Sequence, residues 1–341
     1  MQSSFSFDEY LKLHFQSRCL LVQLTLACPL ECSHCCVSSG PDRKEKLGVK
    51  ETRQLISEFA RSFGENSVVC LTGGEPFSNK TVLQEALRTC NQNNLFAYII
   101  TAAHWASSEE RAKSTLVSLP KIDLLSVSVD HFHEMFVPLS YALNAVQAAQ
   151  ELGISTNVLY THDDNFPQYE DIVRDALSLR GLRTDIHTTH LGASGRAKSS
   201  VPKFEKLDHS HIVEPCQLLG SPAVVANGNI SLCCQVNETN KILQDKNHGL
   251  CAGNLQDNWV KSYNTLLNMT SFKALKYFGP KWIIEKLNDD GENIAYDPSE
   301  SICESCSRLF RCRSKLENVE LTLNQSRCKP LIDYACDLDR S

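Results

Sequence analysis

The segment ACPLECSHCC, residues 27–36, places four cysteines within ten residues, directly after an apolar run. Cys28, Cys32 and Cys35 are spaced C-x3-C-x2-C, so one short loop can fold three thiolates around one metal centre. Thiolate is a soft ligand that suits iron–sulfur clusters and zinc. Three thiolates on a four-iron cube leave one iron open, and an open position is where a catalytic metal takes substrate or cofactor. His34 and Cys36 add further donors, so spacing alone leaves iron–sulfur, zinc and no metal all standing. A second set lies downstream. Cys216 and Cys233 flank Asn227, Gly228 and Asn229, which read as a hairpin turn, and ICESC carries Cys303 and Cys306 as C-x2-C. A hairpin pair and a distant knuckle would saturate one centre, again with zinc or iron–sulfur.

Composition narrows the setting. The chain has 341 residues, 42% of them hydrophobic, enough for one sizeable core or a core plus a smaller domain. A net charge of -6 does not favour a nucleic-acid partner. No apolar run is long enough to span a bilayer, and the polar N-terminus is not a signal peptide. Sixteen cysteines without a secretion signal point to metal ligands or reactive thiols in a reducing compartment, so the cytoplasm is the expected location.

The elements that must position the first thiols are repeating strand–helix units. Strands are expected at 20–26, 67–72, 95–101, 124–129, 155–161 and 184–190. Helices are expected at 50–63, 79–92, 107–119, 141–152 and 166–179. Six strands alternating with helices predict a parallel sheet. A full eight-stranded barrel needs about 250 residues, so the expectation is an α/β chain with a partial (β/α)6 TIM-like barrel, an open α/β sheet being the alternative. Regular alternation stops after residue 204, and nine of the sixteen cysteines follow. The expected division is an N-terminal extension (1–17), the partial barrel (18–204) and a cysteine-rich, metal-stapled region (205–341). Within the last, 272–287 reads as a helix broken at Gly279–Pro280.

The cysteine loop resembles the signature of the radical S-adenosylmethionine (radical SAM) superfamily. LTGGEP (71–76), following the second strand, resembles that family's GGEP motif, and the resemblance extends over about residues 18–200. It implies that Cys28, Cys32 and Cys35 hold a [4Fe–4S] cluster whose open iron chelates SAM. Reductive cleavage of SAM then gives a 5′-deoxyadenosyl radical that abstracts hydrogen from substrate. It also implies a SAM-binding role for Gly73, Gly74, Glu75 and Pro76, with Glu75 facing the SAM ammonium. Thr101, Ser128, Asp130, Asn157 and Arg196 are expected near SAM or substrate; Ser128 and Asn157 read equally as satisfied polar groups, and Asp130 as a helix N-cap. His131 and His133 flank Phe132 beside the site, where they would orient substrate or serve structure. A fourth thiolate would close the open iron, so Cys36 is expected to pack as a small hydrophobe.

The C-terminal region resembles the twitch and SPASM auxiliary-cluster extensions of radical SAM enzymes that modify peptides or sugars. Cys303, Cys306 and Cys312 follow the SPASM spacing, but the next position is Leu316. The expectation is therefore one auxiliary [4Fe–4S] cluster on Cys216, Cys233, Cys303 and Cys306, with a second on Cys251, Cys312, Cys328 or Cys336 left open. DHFHEMFV, ANGNISLCC and SICESCSRLF together resemble radical SAM peptide epimerases. That resemblance implies α-hydrogen abstraction from an L-residue of a ribosomally made precursor peptide and hydrogen return from a thiol, with Cys234 as the candidate donor. Thioether or carbon–carbon crosslinking of a peptide, dehydrogenation of a small molecule, and a zinc-stapled binding protein are the rivals. A flavodoxin or ferredoxin would supply electrons. No leader-binding domain precedes the first strand, so a separate protein or the barrel surface would recognise the precursor.

Overall fold

The computed structural model describes residues 5–191, 194–199, 215–295 and 302–338. The chain forms two compact units, Met1–Val201 with Val224–Asn227, and Pro202–Ala223 with Gly228–Ser341. The expected division between 204 and 205 lies outside the described residues.

In the first unit, β1 (Cys19–Thr25), β2 (Val68–Gly73), β3 (Phe96–Thr101), β4 (Leu124–Ser128), β5 (Ser155–His162) and β6 (Asp185–His190) lie side by side in chain order. Every pair is parallel and β6 is an edge, so the sheet is open, as a partial barrel requires. Between the strands run α2 (Val49–Phe63), α3 (Lys80–Gln92), α4 (Glu109–Val117), α5 (His131–Glu134), α6 (Leu139–Glu151) and α7 (Tyr169–Leu179).

Side chains alternate across the sheet. Leu20, Val22, Leu24, Val69, Leu71, Ala97, Ile99, Leu125 and Val127 form one face without exposed surface, and α3 packs on β2 and β3, and α6 on β4 and β5. The opposite, inner face carries Leu21, Thr72, Ile100, Ser128, Leu159 and Thr161, all half-buried. An apolar run that alternates with polar positions only towards the strand ends gives this asymmetry: one face sealed by helices, the other left for a ligand.

The first helix, α1 (Phe7–Phe15), begins at Ser6 with a full capping box to Glu9. The preceding Phe5 stacks on Phe96 with ring centroids 4.2 Å apart. Phe5 joins Cys19, Val68, Cys70, Tyr98 and Leu124 in a buried cluster, with Phe7, Tyr10 and Leu13 packed against it. These residues start their strands, so the segment read as an extension closes the N-terminal end of the inner face.

The second unit contains β7 (Leu219–Val224), β8 (Asn229–Cys233) and β9 (Cys251–Asn254), with β8 and β9 antiparallel. Helices α8 (Val236–Gln244), α9 (Trp259–Leu267), α10 (Thr270–Asp289), α11 (Ile302–Leu309), α12 (Arg313–Gln325) and α13 (Lys329–Leu338) complete it. Trp259, Tyr263, Phe272 and Phe310 are fully buried there. Helix α10 is broken at Gly279, φ 81°, directly before Pro280. Among the described residues no helix is long and apolar enough to cross a membrane.

Candidate active site

The cysteine loop leaves β1 at a register shift between Gln23 and Thr25, a bulge that redirects the chain at the C-terminal end of the sheet. Its two ends are tied together. Leu26 N donates to Glu45 O, Gly40 N to Leu26 O, and Cys28 N to Gly40 O, at 2.8, 3.2 and 3.1 Å. Inside the closed loop Cys35 N donates to Cys32 O at 3.1 Å, and Ser39 N points at Cys35 Sγ at 3.4 Å. An N–H aimed at a sulfur is a hydrogen bond of the kind that tunes a cluster.

The three thiols are close enough for each other's charge to be felt. Burial, first, and then Cys35 and Glu75 push the Cys28 thiol up to about 12; burial with Cys28, Cys35 and Asp130 does the same to Cys32. Three thiolates packed this way are costly without a cationic partner. Among the described residues, the only three metal-binding side chains with ligand atoms all within 4.8 Å of one another are His34, Asp130 and His133. The all-thiolate donor set of Cys28, Cys32 and Cys35 is one that an iron–sulfur cube takes. Cys36 differs from expectation: it is exposed rather than packed.

The GGEP segment is pressed against this loop. Gly73 has φ 125°, and a Cβ there would lie 2.3 Å from Thr25 O; at Gly74 it would lie 2.3 Å from Ala27 O. Gly74 N donates to Thr25 O and Glu75 N to Ala27 O, at 2.6 and 3.0 Å. Both glycines therefore serve close approach to the cysteine loop's own backbone. Pro76, buried, opens a short 3-10 turn, Pro76–Asn79, for which Glu75 is the N-cap. Glu75 is fully buried and its carboxylate accepts from Phe77 N (3.1 Å), Thr101 Oγ1 (2.9 Å) and Ala102 N (3.0 Å). An ammonium partner would share these oxygens with the protein. Thr101 accepts in turn from Ala103 N and Trp105 Nε1, both at 3.0 Å, and Trp105 stacks on Phe77.

Arg196 clamps the loop from the far end of the unit. Its backbone N donates to Cys35 O (3.0 Å), its Nε to Cys32 O (2.9 Å) and its Nη1 to Ser39 O (2.5 Å). Gly195 (φ 55°) has no room for a Cβ, which would lie 2.3 Å from Cys35 O. Arg196, expected near SAM, holds three carbonyls of the cysteine loop.

Ser128, Asp130 and His133 line a small recess at the end of β4, together with Ala102, Glu134 and Val137. Asp130 is the N-cap of α5, and its Oδ1 accepts from His133 N. Asn157 faces the same side as Ser128 but pairs with Ser126, one layer lower, and accepts from the Ser126 hydroxyl. The site thus gathers Ser128 and Asp130 at the mouth and leaves Asn157 beneath it. Sequence reasoning missed Ser39, Trp105 and the partnership of His34 with Asp130; of these only His34, lying between two candidate ligands, carried a signal.

In the second unit Cys233 ends β8, and Cys303 and Cys306 sit three residues apart on α11, on one helix face. Cys216 N donates to Leu275 O at 3.1 Å. Burial, with Cys216 and Cys303 as charged neighbours, pushes the Cys234 thiol up to about 12. Cys234 therefore shares the neighbourhood of two candidate ligands. Cys312 is the N-cap residue of α12, and Cys251 and Cys336 are buried in β9 and α13.

Three comparisons bear on this geometry. Residues 22–176 match the model of the Radical SAM superfamily. YydG of Bacillus subtilis (strain 168), a protein named for peptide biosynthesis, is 24% identical over 309 residues, which cover 86% of this chain and 92% of YydG. The structure of anSMEcpe with bound AdoMet and Cp18Cys peptide superposes with a TM-score of 0.53 at 11% identity, covering 94% of this chain and 99% of that one. The AdoMet-bound form without peptide gives 0.54 at 11% identity, covering 93% and 99%; at such identity both speak to the fold. A C-x3-C-x2-C loop closed at the mouth of an open parallel sheet, the GGEP turn packed against it, and the matched segment agree: this chain carries a domain of the Radical SAM superfamily over residues 22–176.

Proposed function

We propose that this protein modifies a ribosomally made precursor peptide by L-to-D epimerisation of one residue, with hydrogen returned from Cys234. The observation that carries the peptide as substrate is the similarity to YydG along 86% of the chain. The superfamily implies a [4Fe–4S] cluster and SAM, which when bound supply a 5′-deoxyadenosyl radical able to take hydrogen from a substrate carbon. The chain's own residues do the rest. Cys28, Cys32 and Cys35 hold the cluster, and the clamp from Arg196 and the Gly73–Glu75 turn fix their loop. Ser128 faces SAM and substrate at the recess that Asp130 helps to line. Cys216, Cys233, Cys303 and Cys306 hold one auxiliary cluster.

Cys234 performs the step that defines the reaction. Its S–H bond breaks homolytically while a C–H bond forms on the face of the substrate α-carbon opposite the one that lost hydrogen. The sulfur radical regains its thiol by taking one electron, originating from a flavodoxin or ferredoxin, and one proton from solvent. A cluster-bound thiolate has no hydrogen to give, so the donor must be a cysteine near the cluster but outside its ligand set. The position of Cys234 beside Cys233, and near Cys216 and Cys303, supports that role.

The test is mass spectrometry with chiral analysis of a candidate precursor peptide, treated with wild type and Cys234→Ala in ordinary and in deuterated water. The expected wild-type product keeps its mass in ordinary water, gains one deuterium in deuterated water and contains a D-residue; the variant consumes SAM and yields no D-residue. A wild-type product lighter by two hydrogens would replace epimerisation with crosslinking or dehydrogenation.

A further inference from the structure

Asp130 has 1% of its surface exposed and is held from two sides. Its Oδ1 accepts from His133 N at 3.0 Å and lies 2.9 Å from His133 Nδ1. Its Oδ2 lies 3.5 Å from His34 Nε2 and has no hydrogen-bond partner. His34 is the residue before Cys35, and its ring stacks on Phe132 at 4.6 Å and meets His133 edge-on at 4.7 Å. One buried carboxylate thus joins the middle of the cysteine loop to the turn after β4. A bound ion is the less fitting account, because Asp130 Oδ1 and His133 Nδ1 are already bonded to each other.

His34, 3.5 Å from Oδ2, is the residue before Cys35, so the Asp130 charge lies beside the loop that carries the Cys35 thiolate. In a buried, weakly screened setting the same negative charge opposes the arrival of an electron on a cluster held by that thiolate. His34 Nε2, 3.5 Å from Oδ2, is the polar group that offsets part of the field.

We propose that Asp130 is a positioning residue of the cysteine loop: it aims His34 and His133, and its charge, partly offset by His34, lowers the reduction potential of the cluster held by Cys28, Cys32 and Cys35. This rests on the reading that those thiols hold the cluster.

The experiment is an anaerobic redox titration of the reconstituted full-length protein, followed by electron paramagnetic resonance. The signal that changes on adding SAM identifies the first cluster, and the other signal serves as an internal reference. Asp130→Asn keeps an oxygen for the α5 cap and removes the charge. It should leave iron and sulfide content intact and raise the midpoint potential, by about tenfold in the reduced-to-oxidised ratio, or about 59 mV for one electron. His34→Phe keeps the stacked ring and removes Nε2, so it should shift the potential the other way. The double variant should match Asp130→Asn. Asp163→Asn, which alters a carboxylate paired with His131 at 3.1 Å, should leave the potential in place. An unchanged potential in Asp130→Asn with iron retained overturns the proposal. So do shifts of the same sign in both single variants, the mark of a merely loosened loop, or an extra equivalent of zinc or iron that only Asp130→Asn loses, the mark of an ion site. A wild type with no SAM-responsive signal would overturn the cluster reading itself, and this inference with it.

Discussion

Glu75 shows how a motif residue is fixed before any ligand arrives. Its carboxylate has no exposed surface and takes three donors from two successive strand exits. Glu75→Gln would turn an amide NH2 towards at least one of those donors, leaving a buried N–H unsatisfied. Chemical denaturation should show a loss of about 1–3 kcal/mol, with the iron of the first cluster retained. Unchanged stability would show that the strand exits do not depend on this carboxylate. Cys233 and Cys234 pose the other residue-scale question, because Cys233 ends β8 and Cys234 is the first residue beyond it. Cys233→Ala should lose the auxiliary iron and Cys234→Ala should keep it. The converse result would exchange the two roles, and the shared neighbourhood of Cys234, Cys216 and Cys303 makes that a direct comparison.

At the scale of elements, the cysteine loop is held by pieces far apart in sequence. The turn after β2 meets it from one side and the Gly195–Ser199 turn from the other. Arg196→Ala removes two guanidinium bonds to loop carbonyls, each worth about 1.5–3 kcal/mol when charged. The expected outcome is faster loss of the first cluster's iron to a chelator, with the auxiliary iron released at the wild-type rate; equal rates at both sites would mean that the clamp does not govern the loop. Helix α1 and Phe5 form the second such device. Phe5→Ala empties a stacked position against Phe96 and should cost about 3–5 kcal/mol in denaturation. A loss under about 1 kcal/mol would show that the segment lies on the unit without supporting it.

For the whole molecule, the strand–helix order was readable because β1 to β4 are each sealed on one face and amphipathic helices run between the strands, which gives two periods in the sequence. The six strands and their helices fall within a few residues of the expected bounds. The break at Gly279 was likewise readable, because Pro280 cannot continue a helix. What escaped notice depends on contacts between distant positions. Nothing local to Arg196 says that its guanidinium meets Cys32 and Ser39, and nothing in residues 5–15 says that they close the sheet's lower end. The layer of Asn157 depended on where β5 ends, and that strand runs on to His162. The account as a whole stands on a cluster at Cys28, Cys32 and Cys35 that supports SAM cleavage. The most direct measurement is 5′-deoxyadenosine formation by anaerobically reconstituted protein with SAM and dithionite, comparing wild type with Cys28, Cys32 and Cys35 all replaced by alanine. The wild type should produce it, while the triple variant should produce none and still retain the auxiliary iron. Formation of 5′-deoxyadenosine by the triple variant at the wild-type rate would contradict the account.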